Sequence, residues 1–389
     1  MTSRRGAFLR SRGLPLLTLI LLACGGGDNT GTPVTPGTPR ISAGELRGLE
    51  ISVERNELRV GQILGPALAY GRYDDGTTAV VEGVWASSDP QVVEVGEAGA
   101  LTGVAVGRAT VSASFEEYGD AVDLIVLKPN PRYERDQPDD RPGPQIHAVY
   151  ALPSDVEDTN LDRYGDIERS LASIQHWLGD EIGHRLHLDT TGGKPDVTFL
   201  RLPFTAQEGE ERAESLLVDL AAAIRDGMGT SPDKAYAVYY AGRFGEACGS
   251  AAVEDRVAAV FLDAEGCSAT AMGAGEERAS TYEAVMVHEL LHVFGAVPEC
   301  APGRLETSPH VGGNVQDLMY AGPEWSREVE AAIDPGRNAY FEHGLPDCPD
   351  TSASDYWRPV DRVEAPAGGV RTPRLHIPFE DWPIRCGLH

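Results

Sequence analysis

Residues 281–295 read Thr-Tyr-Glu-Ala-Val-Met-Val-His-Glu-Leu-Leu-His-Val-Phe-Gly. The apolar positions Val285, Leu290, Leu291, Val293 and Phe294 predict a helix from Thr281 to Phe294, and Gly295 supplies its stop. Within it stands His288-Glu289-Leu290-Leu291-His292. A spacing of four sets both imidazoles on one face, a turn apart, where their nitrogens can converge on one Zn²⁺. Glu289, one residue on, can approach an activated water without ligating the ion, which is what a general base needs. His288 and His292 are therefore the first candidate metal ligands, and Glu289 is the candidate catalytic residue.

A catalytic zinc takes a third protein ligand and keeps a fourth position open. His288 to Gly295 reads HExxHxxG, which resembles the metzincins, where the glycine turns the chain so that a His or Asp three residues later completes the site. Here that position is Pro298, which cannot ligate. Downstream, Ser308-Pro309-His310-Val311-Gly312-Gly313 precedes Asp317-Leu318-Met319-Tyr320, which looks like the Met-turn of that clan. The block from His288 to Tyr320 resembles metzincin-like secreted bacterial zinc peptidases with an insertion between the glycine and the third histidine. The resemblance implies one catalytic Zn²⁺, His310 as third ligand and Met319 beneath the site. Glu299, Asp317 and His343 are the rival ligands. Tyr320 is a candidate oxyanion donor, although the corresponding tyrosine of the clan sits two residues after the methionine. His343 is a candidate pocket residue.

Upstream, apolar spacing predicts a strand at Ile146 to Leu152, a helix carrying Ile167, Leu171, Ile174 and Leu178, and strands near Leu186 to Asp189 and Val197 to Leu202. A second helix follows with Leu216, Leu217, Leu220 and Ile224, then strands at Ala235 to Tyr240 and Val257 to Leu262. This alternation predicts a mostly parallel or mixed sheet with packed helices, an α+β catalytic domain over residues 145–389. Val257 to Leu262 is the expected edge on which an extended peptide could add as a strand. His147, His184, His187, His376 and His389 are read without chemistry, and the stretch beyond Asp350 as a surface wrap.

Residues 48–127 show short apolar runs between turn signals and no helical period. Asp74-Asp75-Gly76 predicts a hairpin turn, Trp85 a core anchor, and Leu101, Val104, Val106, Ala109, Val111 and Ala113 an inward-facing alternation. The segments Val84-Trp85-Ala86-Ser87-Ser88-Asp89-Pro90 and Gly99 to Val111 resemble the bacterial immunoglobulin-like group 2 domain, which implies an all-β sandwich serving as spacer or adhesive module. Residues 128–144, with five prolines and no apolar run, are the expected linker.

Arg4, Arg5, Arg10 and Arg12, followed by the apolar run Leu14 to Ala23, form an export signal over residues 1–23, too short to span a bilayer. Leu21-Leu22-Ala23-Cys24 resembles the bacterial lipobox, implying lipidation at Cys24, and residues 24–47 are the expected flexible tether. The expectation is an exported protein lipid-anchored to the bacterial envelope, at the outer membrane or cell surface. The net charge is −27, which repels phosphate backbones and argues against nucleic acid as a partner. So many acids are compatible with calcium sites, but no pattern in the chain specifies one. Of six cysteines, Cys24 goes to the lipid; proximity and register pair Cys248 with Cys267 and Cys300 with Cys348, leaving Cys386 odd. The expected function is a zinc-dependent endopeptidase acting on a protein or peptide. The alternative, which Pro298 keeps open, is a non-catalytic surface-binding or adhesive lipoprotein with a degenerate peptidase domain.

Overall fold

The computed structural model describes residues 44–360 except 97, 213–214, 230, 246, 265–271, 273–279 and 322–330. The export signal, Cys24, Cys267, Cys386, His376 and His389 lie outside the described residues. Among those described, no helix is long and apolar enough to cross a membrane.

The N-terminal domain is all β and begins at Leu46, two residues inside the expected tether. Its sheets have three strands (Leu46–Ser52, Leu68–Tyr73, Thr78–Val81), four strands (Glu57–Arg59, Tyr118–Leu127, Gly107–Phe115, Val84–Ser87) and three short strands. Gly76 turns the predicted hairpin with φ 82°, a conformation glycine adopts freely. In Gly107–Phe115 the alternation holds, with Ala109 and Val111 facing a core that includes Leu58, Leu101, Leu124 and Val126, and Ala113 in a second cluster with Leu49 and Ala69. Trp85 is half-buried and joins the two apolar clusters. Val104 and Val106 depart from expectation and are exposed, because the strand ends at Gly103 and the chain crosses over before the next begins at Gly107.

The C-terminal domain is built on a five-stranded sheet ordered Val197–Arg201, Gln145–Leu152, Lys234–Tyr240, Val257–Phe261, Gly249–Ala252. The first four run parallel and the last is antiparallel to its neighbour. Gln145–Leu152, Lys234–Tyr240 and Val257–Phe261 are buried at every position, as strands covered on both faces must be. Val257–Phe261 is therefore interior, and the edge is Gly249–Ala252, a short run of small residues with little apolar signal. Helix α1 spans Asp166–Ile182, α2 Ala206–Glu211, α3 Leu216–Met228 and α4 Thr281–Val293. Helix α1 packs on α4, and α4 packs on the strands at Gly249–Ala252, Val257–Phe261 and Lys234–Tyr240. The expected strand near Leu186 to Asp189 falls instead at His184–Leu186, outside the main sheet, and pairs with Trp357–Pro359. Buried Trp357 donates its indole N–H to the Thr351 carbonyl (2.9 Å), so of the expected surface wrap the start, residues 351–360, sends Trp357 into the core, while residues 361–389 lie outside the described residues.

The expected linker is docked. Tyr133 bridges Thr198, Arg132 pairs with Asp158 and Asp162 and lies over the Phe199 ring, and Asp140 accepts from the Gly192 and Gly193 N–H groups. Its prolines bar regular structure, while its charged groups find fixed partners on the C-terminal domain. Across the two domains, Arg55 pairs with Asp166 (2.9 Å) and the Tyr164 hydroxyl donates to the Gly61 carbonyl (2.9 Å).

Candidate metal centre

Helix α4 starts where Glu283 accepts the Ser280 backbone N–H (2.5 Å) and ends at Phe294, before Gly295 (φ 80°) reverses the chain. Every residue from Thr281 to Leu291 is buried, so the helix runs through the interior. It carries His288 and Glu289 inside a dry environment, while His292 is half-buried.

The turn at Gly295 opens a loop that returns to the helix. Within it, the Val311 N–H donates to the Met319 carbonyl (2.9 Å) and the Ala321 N–H to the Val311 carbonyl (3.1 Å). This pairing fixes His310 against α4. The three Nε2 atoms converge: His288 to His310 is 3.1 Å, His288 to His292 is 3.1 Å, and His292 to His310 is 3.2 Å. A tetrahedral ion with metal–nitrogen bonds of about 2.0 Å places its ligands about 3.3 Å apart, so this triangle fits Zn²⁺. Three ring nitrogens facing one point cannot satisfy one another with protons, and a cation resolves the conflict. The His288 Nδ1–H donates to the Leu318 carbonyl (2.7 Å), which sets the tautomer that turns the Nε2 lone pair inward.

The electrostatics agree with that reading. Burial pushes His288 down to about 4; burial and the neighbouring His288 and Arg304 push His310 down to about 3; burial and the neighbouring His288 and His310 hold His292 well below its usual value. All three imidazoles are neutral at pH 7. Burial raises Glu289 to about 8.

Met319 is fully buried, next in the chain to Leu318 whose carbonyl accepts from His288, and its N–H donates to Asp317 Oδ1 (2.8 Å). Asp317 also accepts from the Tyr340 hydroxyl (2.8 Å), and that hydroxyl accepts the Asp334 N–H (2.9 Å). Asp317, raised to about 7 by burial, is thus committed to bracing the turn and is not grouped with the histidines. Glu299 is exposed. His343 has its ring nitrogens on the Pro349 carbonyl (3.0 Å) and the Leu345 N–H (2.9 Å), engaged within its own loop. Tyr320 is buried and its backbone bridges Val311. The Cys300–Cys348 disulfide forms as expected and encloses the His310 and Met319 segment; Cys248 is buried, and its expected partner Cys267 lies outside the described residues.

Two features escaped the sequence reading. At Gly249 on the edge strand, an added Cβ would lie 2.4 Å from Val285 Cγ1, 2.9 Å from the Ala259 carbonyl oxygen and 2.9 Å from Glu289 Cγ, so the sheet edge is pressed against the candidate base. His147, read as bland, is buried with Asp136, Asp189 and Asp196 in a second group of potential ligands.

Residues 68–126 match the model of the bacterial Ig-like domain (group 2) and form such a domain. No curated protein matches the chain. Among solved structures, similarity is found to the S-layer protein rSbsC (18% identity, 28% of this chain, 18% of that one, TM-score 0.19). It is found also to catalytically inactive OgpA from Akkermansia muciniphila with an O-glycopeptide (15% identity, 42% and 49%, TM-score 0.23). A third is an Ig-like-domain-containing GH10 xylanase from termite gut (12% identity, 61% and 58%, TM-score 0.15). The chain spans less than two thirds of each of these structures.

Proposed function

We propose that the protein is an exported, lipid-anchored, zinc-dependent endopeptidase with a metzincin-like catalytic domain. The observation that carries this reading is the convergence of three Nε2 atoms at 3.1–3.2 Å, those of buried His288 and His310 and of half-buried His292, with buried Glu289 on the same helix as two of them. His288, His292 and His310 would hold the ion. When bound, Zn²⁺ supplies Lewis-acid polarisation of the scissile carbonyl and makes water a nucleophile near neutral pH. Glu289 removes the proton from the attacking water and delivers it to the leaving amine. A carboxyl raised toward 8 by its dry surroundings suits a group that carries that proton for part of the cycle. An extended peptide has an open strand edge at Gly249–Ala252, which meets Glu289 through Gly249, so main-chain pairing there would bring a peptide bond to the base. The Ig-like domain, a module common at cell surfaces, would hold the catalytic domain away from the envelope. Pro298 keeps open the alternative of a non-catalytic surface-binding protein; the grouping of His310 with His288 and His292 supports the enzyme reading over it.

The test is zinc content alongside casein hydrolysis for the purified protein, Glu289→Ala and His310→Ala. The expected result is one zinc per chain in the parent, retained zinc with activity reduced at least about 10²-fold in Glu289→Ala, and zinc lost in His310→Ala. A parent protein that binds no zinc and cleaves nothing would return the chain to the surface-binding reading.

A further inference from the structure

On the far side of the catalytic domain's sequence from α4, the strand starts at Gln145 and Lys234 meet the docked segment 128–144 and the turn before Val197. Here Asp136, Asp189 and Asp196 offer carboxylate oxygens that, with a His147 nitrogen, lie within 4.8 Å of one another. Asp189, Asp196 and His147 are no more than 1% exposed. One cation is already present: Lys234 Nζ lies 2.7 Å from both Asp136 oxygens, 2.8 Å from Asp139 Oδ1 and 2.7 Å from Asp189 Oδ2. Two oxygens are left over. Asp189 Oδ1 and Asp196 Oδ1 are buried with no hydrogen-bond partner. A buried carboxylate oxygen without a partner is costly, and in native proteins it calls for a water, a proton or an ion.

Charge counting points the same way. Four carboxylates (Asp136, Asp139, Asp189, Asp196) face one ammonium, and even a protonated His147 leaves two negative charges uncompensated. The imidazole is not a free ligand, since Nδ1 is 2.6 Å from Asp189 Oδ2 and Nε2 is 2.9 Å from Thr198 Oγ1. The donors that remain are hard oxygens, which select calcium over zinc.

We propose that Asp136, Asp189 and Asp196 form a second cation site that takes a calcium ion, with Lys234 as the fixed counter-charge at its rim. The ion would tie together segment 128–144, through Asp136, and the stretch leading to Val197–Arg201, through Asp189 and Asp196. The role is structural: it fastens the segment that follows the Ig-like domain onto the catalytic domain. It rests on none of the groups assigned to zinc. A proton shared between Asp189 and Asp196 is the competing way to satisfy both oxygens, and it makes the opposite prediction about calcium.

The experiment is calcium titration of the zinc-loaded protein by calorimetry in calcium-free buffer, with thermal unfolding followed in parallel. The expected result is one calcium per chain, a rise in the unfolding temperature on binding, and affinity reduced at least tenfold in Asp196→Asn. Zinc content at the histidines serves as the folding control for that variant. Terbium supplies a second readout in the parent, because the Tyr236 ring lies 6.1 Å from the His147 ring and would sensitise its emission. Calcium should quench that emission, and Tyr236→Phe should abolish it without changing calcium binding. Absence of saturable calcium binding in the parent, unchanged binding in a folded Asp196→Asn, or terbium emission indifferent to Tyr236→Phe would each overturn the site; the first would favour the shared proton.

Discussion

At position 249 the absence of a side chain is a geometric requirement of the candidate site. A methyl group there meets Val285, the Ala259 carbonyl and Glu289 Cγ at 2.4–2.9 Å, and the backbone oxygen cannot yield. Gly249→Ala should therefore shift Glu289 and lower kcat by about 10- to 10²-fold while zinc content stays at the parent level, since displacing a reacting group by an ångström costs on that order. Unchanged turnover would mean that the edge strand does not position the base. The histidines make a second prediction. Their folded pKa values lie below the free value of about 6.5, so burial disfavours the cation and the neutral ligand form persists to lower pH. Protonation of His288 and His310 begins to compete with metal only as pH falls through about 4 and about 3. Zinc retained after dialysis should accordingly be constant from pH 7 to pH 5 and lost below; half-release near 6.5 would show that the imidazoles are hydrated. His288 and His292 were readable because four residues is one helical turn, a purely local relation. His147 was not, because a lone histidine on an apolar strand carries no signal until Asp189 and Thr198 are folded against it.

Among the elements, α4 was legible from its apolar spacing and from Gly295 at its end, and it runs Thr281–Val293 with Phe294 as cap; the Glu283 carboxylate on the Ser280 N–H marks its start in the structure. Helix α2 carried a readable signal that went unused. Thr205 and Glu208 form a reciprocal cap, with the Glu208 N–H on Thr205 Oγ1 (3.1 Å) and the Thr205 N–H on Glu208 Oε2 (2.8 Å). The edge strand was misplaced because Val257–Phe261 is the more apolar run, and apolar content marks burial in the sheet rather than position at its rim. The loop from Gly295 to Tyr320 depends on pairings of Val311 with Met319 and Ala321, and the disulfide closes a span of 48 residues around it. Chain-entropy arguments assign such a closure about 4 kcal/mol. Cys300→Ser with Cys348→Ser should lower stability to urea by roughly that amount, within the usual 2–4 kcal/mol, and weaken zinc retention through His310. A doubly substituted protein with parent-like zinc affinity would show that α4 and the Val311 pairing hold the third ligand unaided.

Over the whole molecule, the apolar core of the C-terminal domain and those of the Ig-like domain share no residue. The described links between domains include a largely buried Arg55–Asp166 pair and one tyrosine hydrogen bond, polar contacts without a shared apolar core. Scanning calorimetry should thus resolve two transitions, of which zinc raises only one; a single transition moved bodily by zinc would mean that the docked segment 128–144 makes the domains one cooperative unit. The sequence alone determined what local periodicity and short motifs can encode: an Ig-like β domain ahead of an α+β domain, a helix with two histidines and a glutamate on the proper faces, and the third histidine beside a Met-containing turn. Tertiary structure decided what depends on distant partners. Which strand forms the sheet edge follows from the pairing order, and the convergence of His310 on α4 from a chain reversal and a short bridge. The gathering of Asp136, His147, Asp189, Asp196 and Lys234 comes from five separate stretches of chain. None of those residues stands out among the acids and strands around it, because their meaning lies in a shared, nearly dry space that exists only once the segments are packed.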